Sequence, residues 1–287
     1  MLCYDCPRNC GVNRLAGERG YCNCPAVAVV SRAAPHHGEE PCISGKRGSG
    51  AVFFAGCSLG CVYCQNAPIS RSGAGKEVTV AELRDILLRL RDTGVHNINL
   101  VTASHFARCV AEALSGLDLG IPVVWNSSGY ESVSTLRRLE GLVQVFLPDY
   151  KYSLSPAADK YSAAPDYPQI AAAAISEMFR QAGPYVMRED GLLQSGVLVR
   201  HLVLPGELEN SRGVVDWFAR TFAPGQALFS LMSQYTPVAG GPQRPLTETE
   251  HRQMREYLEV SGIEDGFCQD LDAATEEMIP KFNMTGV

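Results

Sequence analysis

Residues 51–66 carry the sequence AVFFA-GCSLGCVYCQN, in which a short apolar run leads directly into three closely spaced cysteines. The apolar run predicts a buried strand, and the glycines that follow it predict a loop. Three thiolates with this CxxxCxxC spacing, Cys57, Cys61 and Cys64, can bind three irons of a [4Fe–4S] cubane and leave the fourth iron without a protein ligand. The stretch therefore predicts the first strand of a sheet with an iron–sulfur site at its carboxyl end.

The rest of the chain alternates β-like runs with helix-like segments. Two helix starts carry a capping box, Thr79 with Glu82 and Thr247 with Glu250. Six β-then-α units predict an α/β fold with a parallel sheet and right-handed crossovers. Since a closed (β/α)8 barrel needs eight units, we expect a partial (β/α)6 barrel with its site at the carboxyl ends of the strands. The units pair 52–55 with 80–91, 98–101 with 106–114, 123–125 with 133–139, 143–147 with 167–181, 197–204 with 211–221, and 228–232 with 247–260.

The first fifty residues differ in character from the rest of the chain. They are rich in cysteine, glycine, proline and charge and show no sustained periodicity, so we interpret them as loops held by a metal. The length of 287 residues allows one large domain with an appendage. We therefore expect a Cys-rich N-terminal segment, 1–50, followed by the partial barrel with a C-terminal extension, 51–287.

Charge and hydropathy restrict the class of partner and the compartment. A net charge of −6 and a pI near 5.6 oppose a nucleic-acid partner. No apolar run approaches the 18 or so residues that a membrane span needs, and the first residues lack the apolar core of a secretory signal. We therefore expect a cytoplasmic protein with reduced thiols. Nine of its eleven cysteines fall within residues 3–64, and in cytosol such crowding favours metal ligation over disulfides.

A second group of cysteines precedes the first strand. Cys3, Cys6, Cys10 and Cys22 offer four thiolates, enough for a second [4Fe–4S] cluster or a tetrahedral zinc ion. Cys24 is an alternative to Cys22. Because four protein ligands would close such a site, a structural or electron-relay role is expected. A zinc alternative also exists for residues 57–64, with Cys42 as the fourth ligand.

The spacing of the three cysteines, with Tyr63 just before the third, resembles the radical S-adenosylmethionine (SAM) superfamily. Residues 6–14, CPRNCGVNR, and 38–41, GEEP, resemble an uncharacterised branch related to pyruvate formate-lyase activating enzymes. The resemblance implies reductive cleavage of SAM to methionine and a 5′-deoxyadenosyl radical. It also implies a flavodoxin or ferredoxin as electron donor and a backbone glycine of a glycyl-radical enzyme as substrate. A peptide, RNA or small-metabolite substrate, or a non-catalytic zinc or iron–sulfur binding protein, are the alternatives.

The resemblance also implies SAM-binding positions after the successive strands. Residues after the second strand approach the SAM amino group in activating enzymes, but the superfamily's Gly-Gly-Glu is absent, with His105 and Phe106 in its place. Later positions would face the ribose or the carboxylate, with Lys151 as the cation that a partly buried carboxylate needs. The alternatives are a structural hydrogen bond for His105, a turn and helix cap at 126–129, and a surface pair of Asp149 with Lys151. The candidates are Thr102, Ser104, His105, Asn126, Ser127, Ser128, Asp149, Lys151 and Arg200.

Overall fold

A computed structural model describes residues 2–271 and 282–287 and contains one ten-stranded sheet flanked by helices. The strands in the described residues are β1 Ala28–His36, β2 Ser49–Phe54, β3 Lys76–Val78, β4 Ile98–Val101, β5 Val123–Ser127, β6 Val145–Pro148, β7 Val186–Met187, β8 Leu193–Leu202, β9 Leu228–Met232 and β10 Gly266–Cys268.

The helices follow the strands as connections. They are α1 Pro41–Ser44, α2 Ala67–Ser70, α3 Val80–Asp92, α4 Ala107–Leu114, α5 Val133–Leu136, α6 Ser155–Ser162, α7 Tyr167–Ala182, α8 Leu208–Thr221 and α9 Glu248–Val260. Short 3-10 turns occupy Arg14–Ala16, Ser104–Phe106 and Arg137–Leu139. Over these parts of the chain, no helix is long and apolar enough to cross a membrane.

The sheet has the strand order β3-β1-β2-β4-β5-β6-β8-β9-β10, with β7 paired to β8. Strands β2, β4, β5, β6, β8 and β9 are parallel neighbours in chain order, which confirms the predicted α/β partial barrel. β10 adds a seventh parallel strand beside β9. The carboxyl ends of all these strands lie on one edge of the sheet, and side chains that follow successive strands therefore meet there.

The interpretation of residues 1–50 as loops is wrong for 28–36. These nine residues form β1, which pairs antiparallel with β2 and with β3. Most of β1 is buried, so the strand lacks the apolar–polar alternation that marks a half-exposed strand. The sheet therefore extends into the segment that the sequence suggested to be irregular. Helix α6 and strand β10 were likewise not predicted.

The predicted capping boxes are both present, and the first allows a stability test. The Thr79 side chain accepts a hydrogen bond from the Glu82 amide at 3.2 Å, and the Glu82 carboxylate accepts one from the Thr79 amide at 2.8 Å. We expect Thr79→Ala to destabilise the protein by about 1 kcal/mol, because unpaired amides remain at the start of α3. The check is a thermal melt, in which Tm falls by about 2 °C.

Thr79→Ser serves as the control, since its hydroxyl preserves the cap and Tm should stay at the wild-type value. An unchanged Tm for Thr79→Ala would mean that this cap does not stabilise α3.

Candidate active site

A cavity of about 230 Å³ opens at the carboxyl edge of the sheet. Residues at the carboxyl ends of β2, β4, β5, β6, β8 and β9, or just after them, line it, so each parallel strand of the predicted barrel contributes. Ten of the residues predicted from the sequence lie on its wall. They are Cys57, Cys61, Cys64, Thr102, Asn126, Ser127, Ser128, Asp149, Lys151 and Arg200.

Residues 56–66, the cluster loop, leave the end of β2 and carry the three cysteines. The amides of Leu59 and Gly60 point at Cys57 Sγ, at 3.4 and 3.5 Å. Two serine hydroxyls donate to the other sulfur atoms, Ser162 to Cys61 at 3.2 Å and Ser70 to Cys64 at 3.5 Å. Each sulfur thus receives a hydrogen bond, which favours its anionic form.

The pKa values of two thiols in the cluster loop indicate that their thiolates need a bound cation. Burial, together with the neighbouring Cys61 and Cys64, raises the pKa of Cys57 to about 12. Burial likewise raises the pKa of Cys64. Bound cations would therefore stabilise the thiolates of Cys57 and Cys64, and three irons of a [4Fe–4S] cluster fit this set of three sulfur donors.

The zinc alternative for the cluster loop lacks its fourth ligand. Cys42 lies in α1 and packs in a separate core cluster with Ile43, Val124 and Leu198. In residues 2–271 and 282–287, no three His, Cys, Asp or Glu side chains are arranged to share one metal ion. A cubane binds each thiolate to a different iron and so accepts a wider spacing of sulfur atoms than one ion does.

Arg200, in β8, organises the charged side of the cavity. Its guanidinium contacts Asp149 at 3.0 Å, Glu39 at 2.8 Å and the Asn126 side-chain oxygen at 2.7 Å. The Asn126 amide in turn donates to Glu39 at 3.0 Å. Arg200, Glu39 and Asp149 are only 13%, 8% and 14% exposed, so these are buried ion pairs rather than a surface network.

Lys151 extends this network towards the cluster loop. Its ammonium donates to Asp149 at 2.6 Å, and both side chains are mostly buried, so they are not the surface pair considered as an alternative. Burial lowers the pKa of Lys151, but the negative charges of Asp149 and Cys61 raise it more, and the net pKa lies above its usual value. Lys151 therefore stays charged beside the sulfur ligands.

Sequence reasoning missed Glu39, although the GEEP segment that contains it was noted. Glu39 follows the antiparallel strand β1, yet it lines the cavity and accepts hydrogen bonds from Asn99, Asn126 and Arg200. The adjacent Glu40 is buried, and burial raises its pKa more than the charge of Arg200 lowers it. His36, at the end of β1, also lines the cavity. Two consecutive carboxylates just before a short helix were the available signal.

Ser104 and His105 lie outside the cavity wall. His105 is buried, with Nε2 2.7 Å from the Ala55 carbonyl oxygen, so that nitrogen must carry the proton. Burial lowers its pKa to about 4 and keeps the ring neutral. Ser104 bonds the buried Glu131, which also accepts from Ser127 at 2.6 Å. The structure thus gives His105 the structural hydrogen bond that was its alternative interpretation.

Thr102 lines the cavity in an unusual backbone conformation. Its φ of 60° lies in the left-handed region, which is strained for a β-branched residue. The Thr102 amide donates to the Asn126 carbonyl oxygen at 2.8 Å, which holds the strained turn. Such strain concentrates at binding sites because the surrounding structure must impose it.

The N-terminal cysteines lie behind the cluster loop rather than in the cavity. Cys3, Cys6 and Cys22 are buried, whereas Cys10 is exposed. Burial raises the pKa of Cys6 to about 11, and the neighbouring thiols of Cys22, Cys10 and Cys3 contribute to that rise. These four side chains are therefore neighbours in space.

Comparison with known proteins identifies the fold. No family model matches the chain. An uncharacterized protein of Methanocaldococcus jannaschii is 30% identical over 246 residues, which cover 82% of the chain and 66% of that relative's length. The structure of a radical SAM methyltransferase from Sphaerobacter thermophilus aligns with 78% of this chain, at 15% identity and a TM-score of 0.52. The alignment covers 68% of the methyltransferase chain. The structure of Streptococcus suis SuiB bound to the precursor peptide SuiA aligns with 75% of this chain, at 14% identity and a TM-score of 0.51. The alignment covers 47% of the SuiB chain.

The chain thus has the fold of a radical SAM enzyme, with a cysteine-bearing loop at the carboxyl end of the first parallel strand. The archaeal relative matches most of the chain, whereas the chain spans 66% of that relative's length.

Proposed function

We propose that the chain is a radical SAM enzyme that cleaves SAM reductively and abstracts hydrogen from a substrate in the cavity. The observation that carries the proposal is the position of Cys57, Cys61 and Cys64, which line the same cavity as Asp149 and Lys151 after β6 and Arg200 near the end of β8. A lone CxxxCxxC motif would have been only moderately specific. Its place at the strand ends makes it a catalytic candidate.

The three thiolates would hold a [4Fe–4S] cluster, which when bound would offer SAM an iron without a protein ligand and would supply the electron that releases the 5′-deoxyadenosyl radical. The chain's own residues position and shield that chemistry. Hydrogen bonds from Leu59, Gly60 and Ser162 stabilise the sulfur ligands. The strand ends enclose the cavity and limit access of water to it.

Lys151 and Arg200 are the cations that would meet the SAM carboxylate. The Lys151 ammonium has three donors and directs one to Asp149. The carboxylates of Asp149 and Glu39 offset the charges of Lys151 and Arg200. The net charge of these four side chains on the cavity wall is therefore small. Asn126, Ser128 and Thr102 add polar groups for the ribose and the amino group. The carboxylate would therefore find a charged partner in a site with little water.

For the substrate we favour a backbone glycine of a glycyl-radical enzyme, as the activating-enzyme resemblance implies. Flavodoxin or ferredoxin would donate the electron, and we expect the cytoplasm as the compartment. A peptide is the second candidate, supported by the shared fold with SuiB and its precursor-peptide complex.

The test is anaerobic reconstitution of the wild-type protein with iron and sulfide, followed by dithionite and SAM. We expect at least about four irons per chain and the formation of 5′-deoxyadenosine, measured by chromatography. Omitting dithionite is the control and should leave SAM intact. A colourless protein with zinc and no cleavage would instead identify a non-catalytic binding protein.

The substrate classes give different products. A glycyl-radical enzyme from the same genome should develop a protein-based radical signal in electron paramagnetic resonance when mixed with the reduced protein and SAM. A peptide substrate should instead change mass. Cleavage of SAM without either product would leave the radical chemistry in place and remove both substrate proposals.

A further inference from the structure

We propose that the N-terminal thiol set holds a second [4Fe–4S] cluster, which passes electrons from an external donor to the cluster loop. The relay part of this proposal rests on the proposed function, whereas the metal site does not. The thiol set consists of Cys3, Cys6, Cys10 and Cys22.

A compact turn brings the first three of these thiols together. The Cys3 amide donates to the Val12 carbonyl at 2.8 Å, and the Gly11 amide donates to the Cys3 carbonyl at 3.0 Å. Asn9 and Gly11 adopt left-handed φ values of 46° and 64°, which fold the chain back between them. Three thiols within eight residues are thus held in one loop.

Two sulfur atoms of this set, those of Cys10 and Cys22, receive donors, as those of the cluster loop do. The Tyr21 amide donates to Cys10 Sγ at 3.3 Å. The Arg14 guanidinium donates to Cys22 Sγ at 3.1 Å, and its other nitrogen donates to the His105 carbonyl at 2.8 Å. A fixed cation and an amide beside the sulfur atoms favour thiolates and hence metal ligation.

The spacing of the set favours a cluster over a zinc ion. Among the described residues, neither this set nor the cluster loop brings three thiols close enough to share one ion. A cubane binds each thiolate through a different iron and so accepts a wider spacing of sulfur atoms than one zinc ion does. Four protein ligands would leave no iron open to a substrate, which leaves a structural role or electron transfer. The contact between this set and the cluster loop favours electron transfer.

The geometry assigns Cys22, rather than Cys24, as the fourth ligand. Cys24 Sγ donates to the carbonyl oxygens of Cys22 and Ala55, at 3.2 and 3.3 Å, and is 1% exposed. Its proton is thus used in structural hydrogen bonds, and it joins the thiol set to the end of β2.

The thiol set is packed directly against the cluster loop. A Cβ added to Gly56 would lie 2.6 Å from the Cys22 carbonyl oxygen and would collide with Cys24 Sγ, so the two backbones touch one residue before Cys57. The Arg8 guanidinium, from the middle of the thiol set, donates to the carbonyl oxygens of Ser58 and Leu59 at 2.9 and 3.0 Å. Electrons would therefore cross between the two sites through atoms in direct contact.

The outer side of the thiol set is open to a donor protein. Cys10 is exposed, and large apolar side chains that are rarely left in water surround this part of the chain. An external one-electron donor, a reduced ferredoxin or a flavodoxin hydroquinone, would dock here and lose one electron. The second cluster would change from the 2+ to the 1+ state and return to 2+ as it passes that electron on. The exposed apolar residues are Leu2, Tyr4, Leu15, Tyr21 and Val27.

The metal site can be tested without any activity. A variant with Cys57, Cys61 and Cys64 all changed to alanine should keep about four irons per chain after anaerobic reconstitution and show a reduced-cluster signal in electron paramagnetic resonance. Adding Cys6→Ala and Cys10→Ala to it should remove that iron. One zinc per chain, or no bound metal in the triple variant, would overturn the proposal.

The relay is tested in the otherwise intact protein with Cys10→Ala, because Cys10 is exposed and its loss should not disturb the core. The ratio of flavodoxin-driven to dithionite-driven cleavage of SAM should fall at least about tenfold below the wild-type ratio, because flavodoxin needs the relay and dithionite does not. Cys268→Ala, exposed in the edge strand β10, is the control and should change neither rate.

Equal losses with both reductants would make the thiol set structural and overturn the relay. Equal retention with both would do the same. A wild-type protein that does not cleave SAM with dithionite would contradict the proposed function, while the iron content of the triple variant would still decide the second site.

Discussion

Replacing Cys57, Cys61 or Cys64 by alanine is expected to lower dithionite-driven formation of 5′-deoxyadenosine at least about a hundredfold. Each variant removes one of three ligands to a cluster that must keep one iron open, and Cys42 cannot substitute because it packs in a separate core cluster. The measurement is 5′-deoxyadenosine per chain under anaerobic conditions. The fold should survive, as judged by circular dichroism.

Cys268→Ala is the matched control, because it removes a thiol that lies far along the sheet in β10. It should retain the wild-type yield of 5′-deoxyadenosine. A cysteine variant of the cluster loop that still cleaves SAM would remove the basis for assigning the cluster to this loop.

Arg200→Leu is expected to lower the free energy of unfolding by about 3–5 kcal/mol. The change leaves Asp149 and Glu39 buried without their shared cation, and both side chains are at most 14% exposed. Urea denaturation monitored by circular dichroism measures the loss. The free energy of unfolding of Arg200→Lys should lie between those of Arg200→Leu and wild type, because lysine keeps the charge but lacks the planar guanidinium with its several donors.

The loss should depend on pH with a defined sign. Burial alone would raise the pKa of Asp149, but the charges of Arg200 and Lys151 outweigh it and hold the pKa below its usual value. A carboxylate with a depressed pKa contributes stability above its unfolded pKa and loses it as the pH falls through the folded value. The difference in the free energy of unfolding between Arg200→Leu and wild type should therefore be largest near neutral pH and should decrease as the pH falls.

Arg188→Leu provides the control for Arg200. Arg188 pairs with Asp190 on the surface, where both side chains are about half exposed, at 47% and 48%. Its loss should cost no more than about 0.5 kcal/mol. If Arg200→Leu destabilised the protein as little as this control, the buried network would not be a determinant of stability.

Most of the cavity wall could be anticipated because of the way parallel sheets are built. Once β4, β5 and β6 are recognised as consecutive strands, the residues after them must reach the same edge, which is why Thr102, Asn126 and Asp149 meet. The spacing of the three cysteines predicts a cluster for a similar local reason. Both inferences depend only on the spacing of residues in the sequence or on the order of the strands, and both can be obtained from the sequence pattern.

The residues that the sequence pattern did not predict are positioned by contacts between parts of the chain that are far apart in sequence. Glu39 meets Arg200 across 161 positions, and Arg8 reaches the Ser162 carbonyl across 154. β1 was not predicted because a strand buried on both faces has no alternation to detect. Periodicity reports which face of an element is buried, but it does not report what covers that face.

The sequence by itself determined the class of fold, the position of the three cysteines in the cluster loop and the edge of the sheet where the cavity lies. Tertiary structure alone decided that His105 turns inward to Ala55, that Glu39 and Lys151 complete a buried charge network, and that the N-terminal thiols rest against Gly56. The physical reason is that burial and ion pairing are properties of packed surfaces, and these surfaces exist only after the elements have assembled.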